Sequence, residues 1–506
     1  MPKKYSVVVT PTPPRYPPVG KFEIERGDNC INCGRCAMAC VYDVHKRQEE
    51  DPRCMAEPVD YRCKGCFSCI QECPREALTI RENKEYPKLG DSYWTPEIIS
   101  SNWYQAETGK IPVSGAGYRG LFSGEGFDSM WTDMSEIVRP TRDGIHGREY
   151  ISTVVEIGRK LAAIKFDSQG EIASPTPPAL SIPLPIIFNT PPFGRYENVY
   201  EAMAKAASYL GTFMIVDPDE WFNKNYKANL VPLLTSQTLR KFDQNASQQT
   251  FKKSLTKNAV LSKDLIKTCK MVELEYEEDV LSVVNEAKRI SPGTIVSVRV
   301  PFGDNVEKIV EELTYAGVEV IHLYADVNGQ TFKKSLIKNA SQSEPGFIKD
   351  MTLNVHRHLV DLKIRDEVTL IVSGGIAMAE HVAKSIVCGA DLTAIDLPLL
   401  LALECRYCKE CLNNQTFKKS LIKNAPQAPQ SCPVELKNAN PEWGAKRIIN
   451  LIGAWRNQLL EVLGAMGLRE VRRLRGEVGR AIFIEEIEKE TFDKVFEKEV
   501  SYNASD

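Results

Sequence analysis

The stretch TIVSVRVPFGDNVEKIVEELTYAGVEVIHLY, residues 294–324, decides the fold class. It begins with one β-branched run, TIVSVRV (294–300), and ends with another, VEVIHLY (318–324). Between the two runs, the apolar residues of VEKIVEELTYAG recur at the spacing of an amphipathic helix. A strand, a helix and a second strand in this order form the unit from which parallel sheets with covering helices are built.

The same alternation extends in both directions from this stretch. The further β-branched runs are LPIIF (184–188), TFMIVD (212–217), NLVPLL (229–234), MVELEY (271–276), VTLIVSG (368–374) and LTAIDLP (392–398). Amphipathic stretches such as VYEAMAKAASYLG and DVLSVVNEAKRIS separate most of them. Eight strands alternating with helices predict an α/β fold of the (β/α)8 TIM-type barrel class. A doubly wound sheet is the alternative.

Composition and charge restrict the class of protein. The chain has 506 residues, enough for one small and one large domain. A formal net charge of −3 gives no basic surface of the kind that nucleic acid requires. No run approaches the ~18 apolar residues of a membrane span, and the first residues have no apolar core of a secretory signal. Twelve or thirteen of the fifteen cysteines fall in groups at metal-ligand spacing, which favours a cytoplasmic metalloprotein over a disulfide-linked one.

Two cysteine runs near the amino terminus have the spacing C-x2-C-x2-C-x3-C, as in bacterial ferredoxins. They are Cys30, Cys33, Cys36 and Cys40, and Cys63, Cys66, Cys69 and Cys73. In that arrangement the fourth cysteine of each run ligates the other cluster. We therefore assign one [4Fe–4S] cluster to Cys30, Cys33, Cys36 and Cys73, and a second to Cys63, Cys66, Cys69 and Cys40. Zinc knuckles are the alternative, although they usually pair cysteines two by two. Cys54, between the runs, is interpreted as a bystander.

Five segments are predicted along the chain. They are a Pro-rich tail (1–20), a ferredoxin-like 2[4Fe–4S] domain (21–84), an irregular bridging region (85–180), the barrel (181–440) and a helical carboxyl-terminal extension (441–506). In such barrels the reactive centre lies at the carboxyl ends of the strands, and the last two loops often bind a phosphate. The seventh predicted strand ends in Ser373, Gly374 and Gly375, followed by a helix, so these residues are candidate phosphate contacts.

A third cysteine group follows the eighth strand, and here the sequence resembles a known family. The run VSGGIAMAEHVAKSIVCGADLTAIDLPLLLALECRYCKECLNN, with SCPVELK after it, resembles the end of the synthase domain of glutamate synthases. The order of two ferredoxin runs, a bridge and a barrel resembles the short archaeal-type glutamate synthase. The resemblance covers roughly residues 20–485.

The resemblance implies a flavin mononucleotide (FMN) in the barrel mouth and an iron–sulfur cluster beside it. Cys405, Cys408, Cys411 and Cys432 would hold that third cluster. The family usually has a three-iron cluster, whereas the spacing here, with a fourth cysteine before a proline, favours [4Fe–4S]. A structural zinc site is the alternative. Arg299 stands where the family has a lysine near the flavin, so it is the candidate catalytic and cofactor-binding residue.

Several positions depart from the family pattern. The glycine-rich loop after the second strand is replaced by IVDPDEWF, and the glycine-containing turn after the eighth strand by IDLPL, which places Asp396 where a phosphate would lie. The loop HLYADVNG replaces a glycine-rich substrate loop after the sixth strand. An element close to QTFKKSLIKNA occurs at 249–259, 330–340 and 415–425. It is interpreted as an inserted loop element, with basic docking lips for an acidic partner as the alternative.

Two functional hypotheses follow. The first is a glutamate synthase-like FMN and iron–sulfur oxidoreductase that reductively aminates 2-oxoglutarate with electrons delivered through the clusters. The second is an electron-transfer subunit of a larger redox complex that has lost the amination chemistry. Either would work in an oligomeric complex with an NAD(P)H-oxidising flavoprotein or a ferredoxin as electron donor. No segment resembles a glutaminase, so ammonia would arrive free or from a separate glutaminase.

Overall fold

The computed structural model describes residues 5–111, 124–132, 150–161, 163–173, 177–235, 263–303, 305–331, 346–408 and 432–488. Cys411 and nearly all of the three QTFKKSL elements lie outside these ranges. Among the described residues, no helix is both long enough and apolar enough to cross a membrane.

Eight parallel strands close into a barrel, as the sequence predicts, and the doubly wound alternative is wrong. The barrel strands are β6 (Ile186–Phe188), β7 (Met214–Val216), β8 (Leu230–Leu234), β9 (Met271–Glu275), β10 (Ile295–Pro301), β11 (Val320–Tyr324), β12 (Thr369–Ser373) and β13 (Leu392–Ile395). Neighbours in sequence are neighbours in the barrel, and β13 pairs with β6 to close it. Each of the eight predicted β-branched runs corresponds to one barrel strand, and β10 extends one residue beyond its run, to Pro301. The strands are buried on both faces because helices cover the outside, which explains their nearly continuous apolar character.

Helices follow most of the strands and pack on the outside of the barrel. They are α4 (Glu197–Leu210), α5 (Val280–Ile290), α6 (Val306–Tyr315), α7 (Ile348–Asp361), α8 (Ala379–Val387), α9 (Leu397–Ala402) and α10 (Pro441–Ala465). In α5 the buried side chains are Val280, Val283, Val284 and Ala287, which is the spacing of one helix face. The 25-residue α10 packs against α4 and α8, and its buried face includes Trp455.

The ferredoxin-like segment has a small core of its own. Strands β1 (Phe22–Arg26) and β2 (Leu78–Glu82) pair antiparallel, and short helices α1 (Arg35–Ala39) and α2 (Ser68–Gln71) each carry cysteines. Its apolar core combines Ile24, Val44, Met55 and Leu78 with Cys36 and Cys69.

The region between the ferredoxin-like segment and the barrel shares the core of the barrel. It contains α3 (Pro96–Thr108) and three short strands, β3 (Met130–Thr132), β4 (Val155–Gly158) and β5 (Ala179–Ile182). Near the carboxyl end, β14 (Ala481–Phe483) pairs with β3 and α11 (Ile484–Glu488) follows. Helix α3 is N-capped by Thr95, whose side chain accepts from the Ile98 N–H, and it packs against α9 and α10.

The Pro-rich amino-terminal segment, residues 5–20, is bound along the surface of α10. The Asn450 side chain accepts a hydrogen bond from the Thr10 N–H (2.9 Å) and donates to the Thr10 carbonyl (2.7 Å). Arg447, fully buried, donates to the Thr12 carbonyl (2.9 Å). These contacts attach the segment to the barrel core.

Candidate iron–sulfur and barrel-mouth sites

The first predicted ligand set of the ferredoxin-like segment lies around one cavity. Cys30, Cys33, Cys36 and Cys73 line it together with Arg26 and Met55. All four thiols are free. Cys73 thus lies with the first cysteine run although it belongs to the second, as the exchange of fourth ligands requires. Four converging thiols are a suitable donor set for a four-iron cluster.

The second predicted set lies in one electrostatic neighbourhood. Burial and the neighbouring Cys63, Cys40 and Cys66, which would repel its thiolate, together raise the pKa of the Cys69 thiol to about 11. Thiols this close share a site suited to cations, which reverse the repulsion. Cys54 lies elsewhere, with its Sγ donating to Asp51 (3.7 Å).

The carboxyl-terminal cysteines lie directly after α9, beside the barrel. Cys405 is buried, and its carbonyl accepts a hydrogen bond from the Trp103 indole (3.1 Å). Burial raises the pKa of the Cys405 thiol, with smaller contributions from Cys408 and Cys432. The structure therefore brings three of the four predicted ligands together, and Cys411 lies outside the described residues.

Tyr407 connects this cysteine group with the barrel mouth. Its ring is buried and stacks on Phe193, which follows β6, with centroids 6.2 Å apart and planes at 14°. Trp94 meets the same ring edge-on at 6.1 Å. Burial raises the pKa of the Tyr407 hydroxyl, and the carboxylates of Asp91, Asp326 and Asp396 raise it further. The chain segment that carries Cys405 and Cys408 therefore forms part of the barrel mouth.

Arg299 on β10 supplies the positive charge at the centre of the mouth. Its guanidinium lies over the Tyr324 ring at 4.1 Å and donates a long hydrogen bond to Asn189 Oδ1 (3.4 Å). Glu275 on β9 pairs with Arg299 in the strand register. Burial raises the pKa of the Glu275 carboxyl, and the charge of Arg299 opposes that effect. The Nε of Arg299 is buried and has no hydrogen-bond partner among the described residues. A buried donor without a partner is suited to an anionic or carbonyl-bearing ligand.

The predicted phosphate contacts after β12 are occupied by protein. The Gly375 N–H donates to the Val327 carbonyl (3.3 Å), in the loop after β11. Gly374 has φ +103°, and a Cβ built on it would lie 2.7 Å from the Asp326 carbonyl oxygen. The Ser373 hydroxyl points into the barrel, toward His322 (2.8 Å). The Gly375 N–H and the Ser373 hydroxyl therefore already have protein partners, and in this arrangement neither is available to a phosphate.

Asp396 occupies the position after the eighth strand. Its Oδ1 accepts from the Leu397 N–H (2.5 Å) at the start of α9. Burial raises the pKa of the carboxyl to about 6, although Arg299 opposes that effect. The carboxylate fills the helix start that a phosphate would need. The FMN assignment is therefore supported by Arg299 and not by the glycine turn or the eighth loop.

Sequence reasoning missed a polar chain inside the barrel. The Glu273 and His322 side chains are fully buried, with Glu273 Oε1 2.7 Å from His322 Nδ1. Ser297 donates to the same carboxylate (3.3 Å). The available signal was a glutamate and a histidine within the apolar runs MVELEY and VEVIHLY, because parallel strands buried on both faces rarely carry such residues.

A second acidic group, outside the barrel, is a closed ion-pair network. His381 Nε2 lies 3.1 Å from Asp128 Oδ1, and Glu380 is close by. Lys384 Nζ lies 3.8 Å from both Asp128 and Glu380. Because Lys384 already supplies the positive charge that a metal ion would bring to these carboxylates, we interpret this group as structural.

Comparison with known proteins agrees with the fold and the cysteine pattern. Residues 254–469 match the conserved region in glutamate synthase. The chain is 26% identical to the archaeal-type glutamate synthase [NADPH] of Dehalococcoides mccartyi over 90% of this chain and 94% of that protein. The chain is thus similar to the glutamate synthases over most of its length. The archaeal glutamate synthase [NADPH] of Archaeoglobus fulgidus is 27% identical over 90% of this chain and 93% of its own length.

Two further matches concern parts of the chain. The ferredoxin of Pyrobaculum islandicum is 36% identical over 52 residues, 10% of this chain and 46% of that protein, a match limited to one short segment. Among solved structures, a mandelate oxidase variant covers 65% of this chain and 87% of its own, at 14% identity and a TM-score of 0.37. The similarity to glutamate synthases therefore rests on sequence, and the barrel assignment rests on the strand order.

Proposed function

We propose that this chain is a glutamate synthase-like FMN and iron–sulfur oxidoreductase that reductively aminates 2-oxoglutarate to glutamate. The observation that carries the proposal is the position of Cys405, Cys408 and Cys432 at the barrel mouth. In a chain that also has two ferredoxin-type thiol sets, clusters bound at these positions would carry electrons from those sets to the barrel.

Twelve cysteines are proposed as iron ligands in three sites. Electrons would enter at the two amino-terminal sites and pass to the site of Cys405, where Tyr407 and Phe193 form the contact with the barrel mouth. Bound FMN would supply hydride-transfer chemistry there. Arg299 would bind the negative charge of substrate or cofactor, and Glu275 and Tyr324 would hold its guanidinium in place. The FMN phosphate would need contacts other than the Gly375 N–H, or the loop after β11 would have to move so that the Val327 carbonyl releases that N–H.

The partners proposed are a ferredoxin or an NAD(P)H-oxidising flavoprotein subunit as electron donor, with ammonia taken free or from a separate glutaminase. A reducing compartment, the cytoplasm, suits a chain whose described cysteines are all free.

The direct test is turnover by the anaerobically purified protein loaded with iron, sulfide and FMN. With reduced ferredoxin, 2-oxoglutarate and ammonium, glutamate should form, and Cys405→Ser should abolish its formation while leaving FMN bound. Cys54→Ser is the matched control, since Cys54 lies outside the predicted ligand sets. No glutamate from protein that holds FMN and all its iron would reject the amination activity.

The cluster type has its own test. If Cys432 is a ligand of a [4Fe–4S] cluster, Cys432→Ser should convert that cluster to a three-iron form, which is paramagnetic when oxidised. The electron paramagnetic resonance signal should then appear only in the variant. A full three-iron signal in the unsubstituted protein would show that Cys432 is not a ligand.

An electron-transfer subunit without amination chemistry is the second candidate. The observations that favour it are the occupied Gly375 N–H and the carboxylate of Asp396 at the start of α9. Equilibrium dialysis with FMN tests the first candidate. A protein with all its iron that binds no FMN leaves only the second candidate, whereas stoichiometric FMN fits both and leaves the decision to the turnover test.

A further inference from the structure

The polar chain inside the barrel links three strands, β9, β11 and β12, and β10 lies between the first two. Glu273 on β9, His322 on β11 and Ser373 on β12 are joined by contacts of 2.7 Å and 2.8 Å at the two ring nitrogens of His322. None of the three side chains is more than 1% exposed. Burying ionisable groups costs free energy even when they are paired, and apolar side chains of similar volume at these positions would often give an equally or more stable barrel. This cost indicates a role beyond packing.

Charge balance determines the protonation of Glu273 and His322 in the ligand-free protein. Burial raises the pKa of Glu273, but the hydrogen bonds from His322 and Ser297 and the charge of Arg299 lower it, so Glu273 is ionised. Burial lowers the pKa of His322, and Arg299 lowers it further, while Glu273 opposes this. With Arg299 cationic and Glu273 anionic, a neutral His322 makes this group of three electrically neutral. Nδ1–H then donates to Glu273, and Nε2 accepts from the Ser373 hydroxyl.

An anion at the mouth would disturb this balance through Arg299. Arg299 pairs with His322 in the register of β10 and β11, and its free Nε is available to a ligand. A ligand carboxylate or phosphate there would compensate the guanidinium charge and leave Glu273 as an excess buried negative charge. Protonation of His322 would restore neutrality. The other titratable groups facing Arg299 are Glu275, Tyr324 and Asp396.

We propose that Glu273, His322 and Ser373 form a buried proton relay that takes up one proton when an anion binds at Arg299. The proton enters at Ser373 Oγ while the existing hydroxyl hydrogen moves to His322 Nε2, so that no bond is left incomplete. Imidazolium then donates from both nitrogens, and the new Ser373 hydroxyl hydrogen is free to turn toward the mouth. The relay rests on the proposed function in that reductive amination of a 2-oxo acid consumes protons as well as electrons.

The relay can be tested without turnover. The chain has six histidines, so 15N-histidine spectra of the iron-loaded, oxidised protein can be assigned for His322 by its loss in His322→Gln. At pH 7 His322 should be neutral, and Arg299→Gln should convert it to imidazolium without any ligand, whereas Arg299→Lys, which keeps the charge, should not. His358→Gln, a change to a half-buried histidine on α7, is the control and should leave the His322 signal unchanged.

Calorimetry in buffers of different ionisation enthalpy measures the proton taken up with the ligand. Saturation with 2-oxoglutarate, or with inorganic phosphate in a separate arm, should take up about one proton, and His322→Gln should abolish that uptake. Uptake that persists in His322→Gln but disappears in Asp396→Asn would assign it to Asp396 and overturn the relay. A His322 that stays neutral in Arg299→Gln would overturn it too, whatever the ligand does. Absence of glutamate formation alongside these proton signals would reject the amination activity alone.

Discussion

The turn after β12 allows a direct separation of packing from phosphate binding. Gly375 has φ +67°, and a Cβ there would lie 3.0 Å from both Gly329 Cα and the Phe347 ring. Gly467, after α10, has nearly the same backbone conformation, φ +70°, with no atom within 4 Å of the added carbon. Alanine at the two sites therefore carries the same backbone cost and differs only in contacts.

The expected magnitudes follow from these geometries. The left-handed conformation costs alanine about 1–2 kcal/mol at either site. Overpacking against Gly329 and Phe347 adds about 1–3 kcal/mol at Gly375 alone. Gly375→Ala should therefore be less stable than Gly467→Ala by about 2 kcal/mol. For a domain of this size that difference lowers the midpoint of thermal unfolding by about 4–8 °C.

Far-UV circular dichroism during heating, with FMN binding measured in parallel, provides the assay. Equal midpoints for the two variants would refute the inference that Gly375 packs against the loop after β11. A Gly375→Ala protein of normal stability that has lost FMN would instead assign the turn to the cofactor phosphate, as the sequence alone predicts.

Three further outcomes are expected. Cys73→Ser should remove the cluster bound by the first cysteine run, and Cys40→Ser should remove the cluster bound by the second run, each leaving the other cluster intact. Iron counts and electron paramagnetic resonance check this. If each variant instead lost the cluster of the run to which the substituted cysteine belongs, the exchange of fourth ligands would be contradicted. Because the pKa of Asp396 is raised to about 6, the native state holds a proton that the unfolded state has released, so stability should fall as pH rises from about 4 to 7. Asp396→Asn keeps the helix cap and should flatten that fall in denaturant titrations, whereas an unchanged slope would place its cause elsewhere. Asn450→Ala leaves the backbone groups of Thr10 and the Ala106 carbonyl without their side-chain partner. This loss should lower the free energy of unfolding by about 1–3 kcal/mol and speed proteolysis of the amino-terminal segment. An unchanged cleavage rate would show that other contacts attach the segment.

The barrel could be predicted because its signals are local. Each of the eight strands lies in a short β-branched run, and amphipathic stretches separate most of these runs, a pattern that follows from burial on both faces of a parallel sheet. The ferredoxin-type cysteine runs are equally local, since their spacing is set by the shape of a cluster. The resemblance to glutamate synthases likewise rests on contiguous motifs.

The state of the site was decided only by the tertiary structure. Nothing near Gly375 in the sequence reveals that Val327, some fifty residues earlier, occupies its N–H, nor that Asp396 would cap α9. Glu273, His322 and Ser373 lie on three strands and meet only because closure of the barrel turns their side chains to one interior. Sequence patterns record which surfaces are buried, because hydrophobic burial acts on each segment separately. Charge compensation and hydrogen-bond pairing depend on which segments meet, and only the closed barrel determines that.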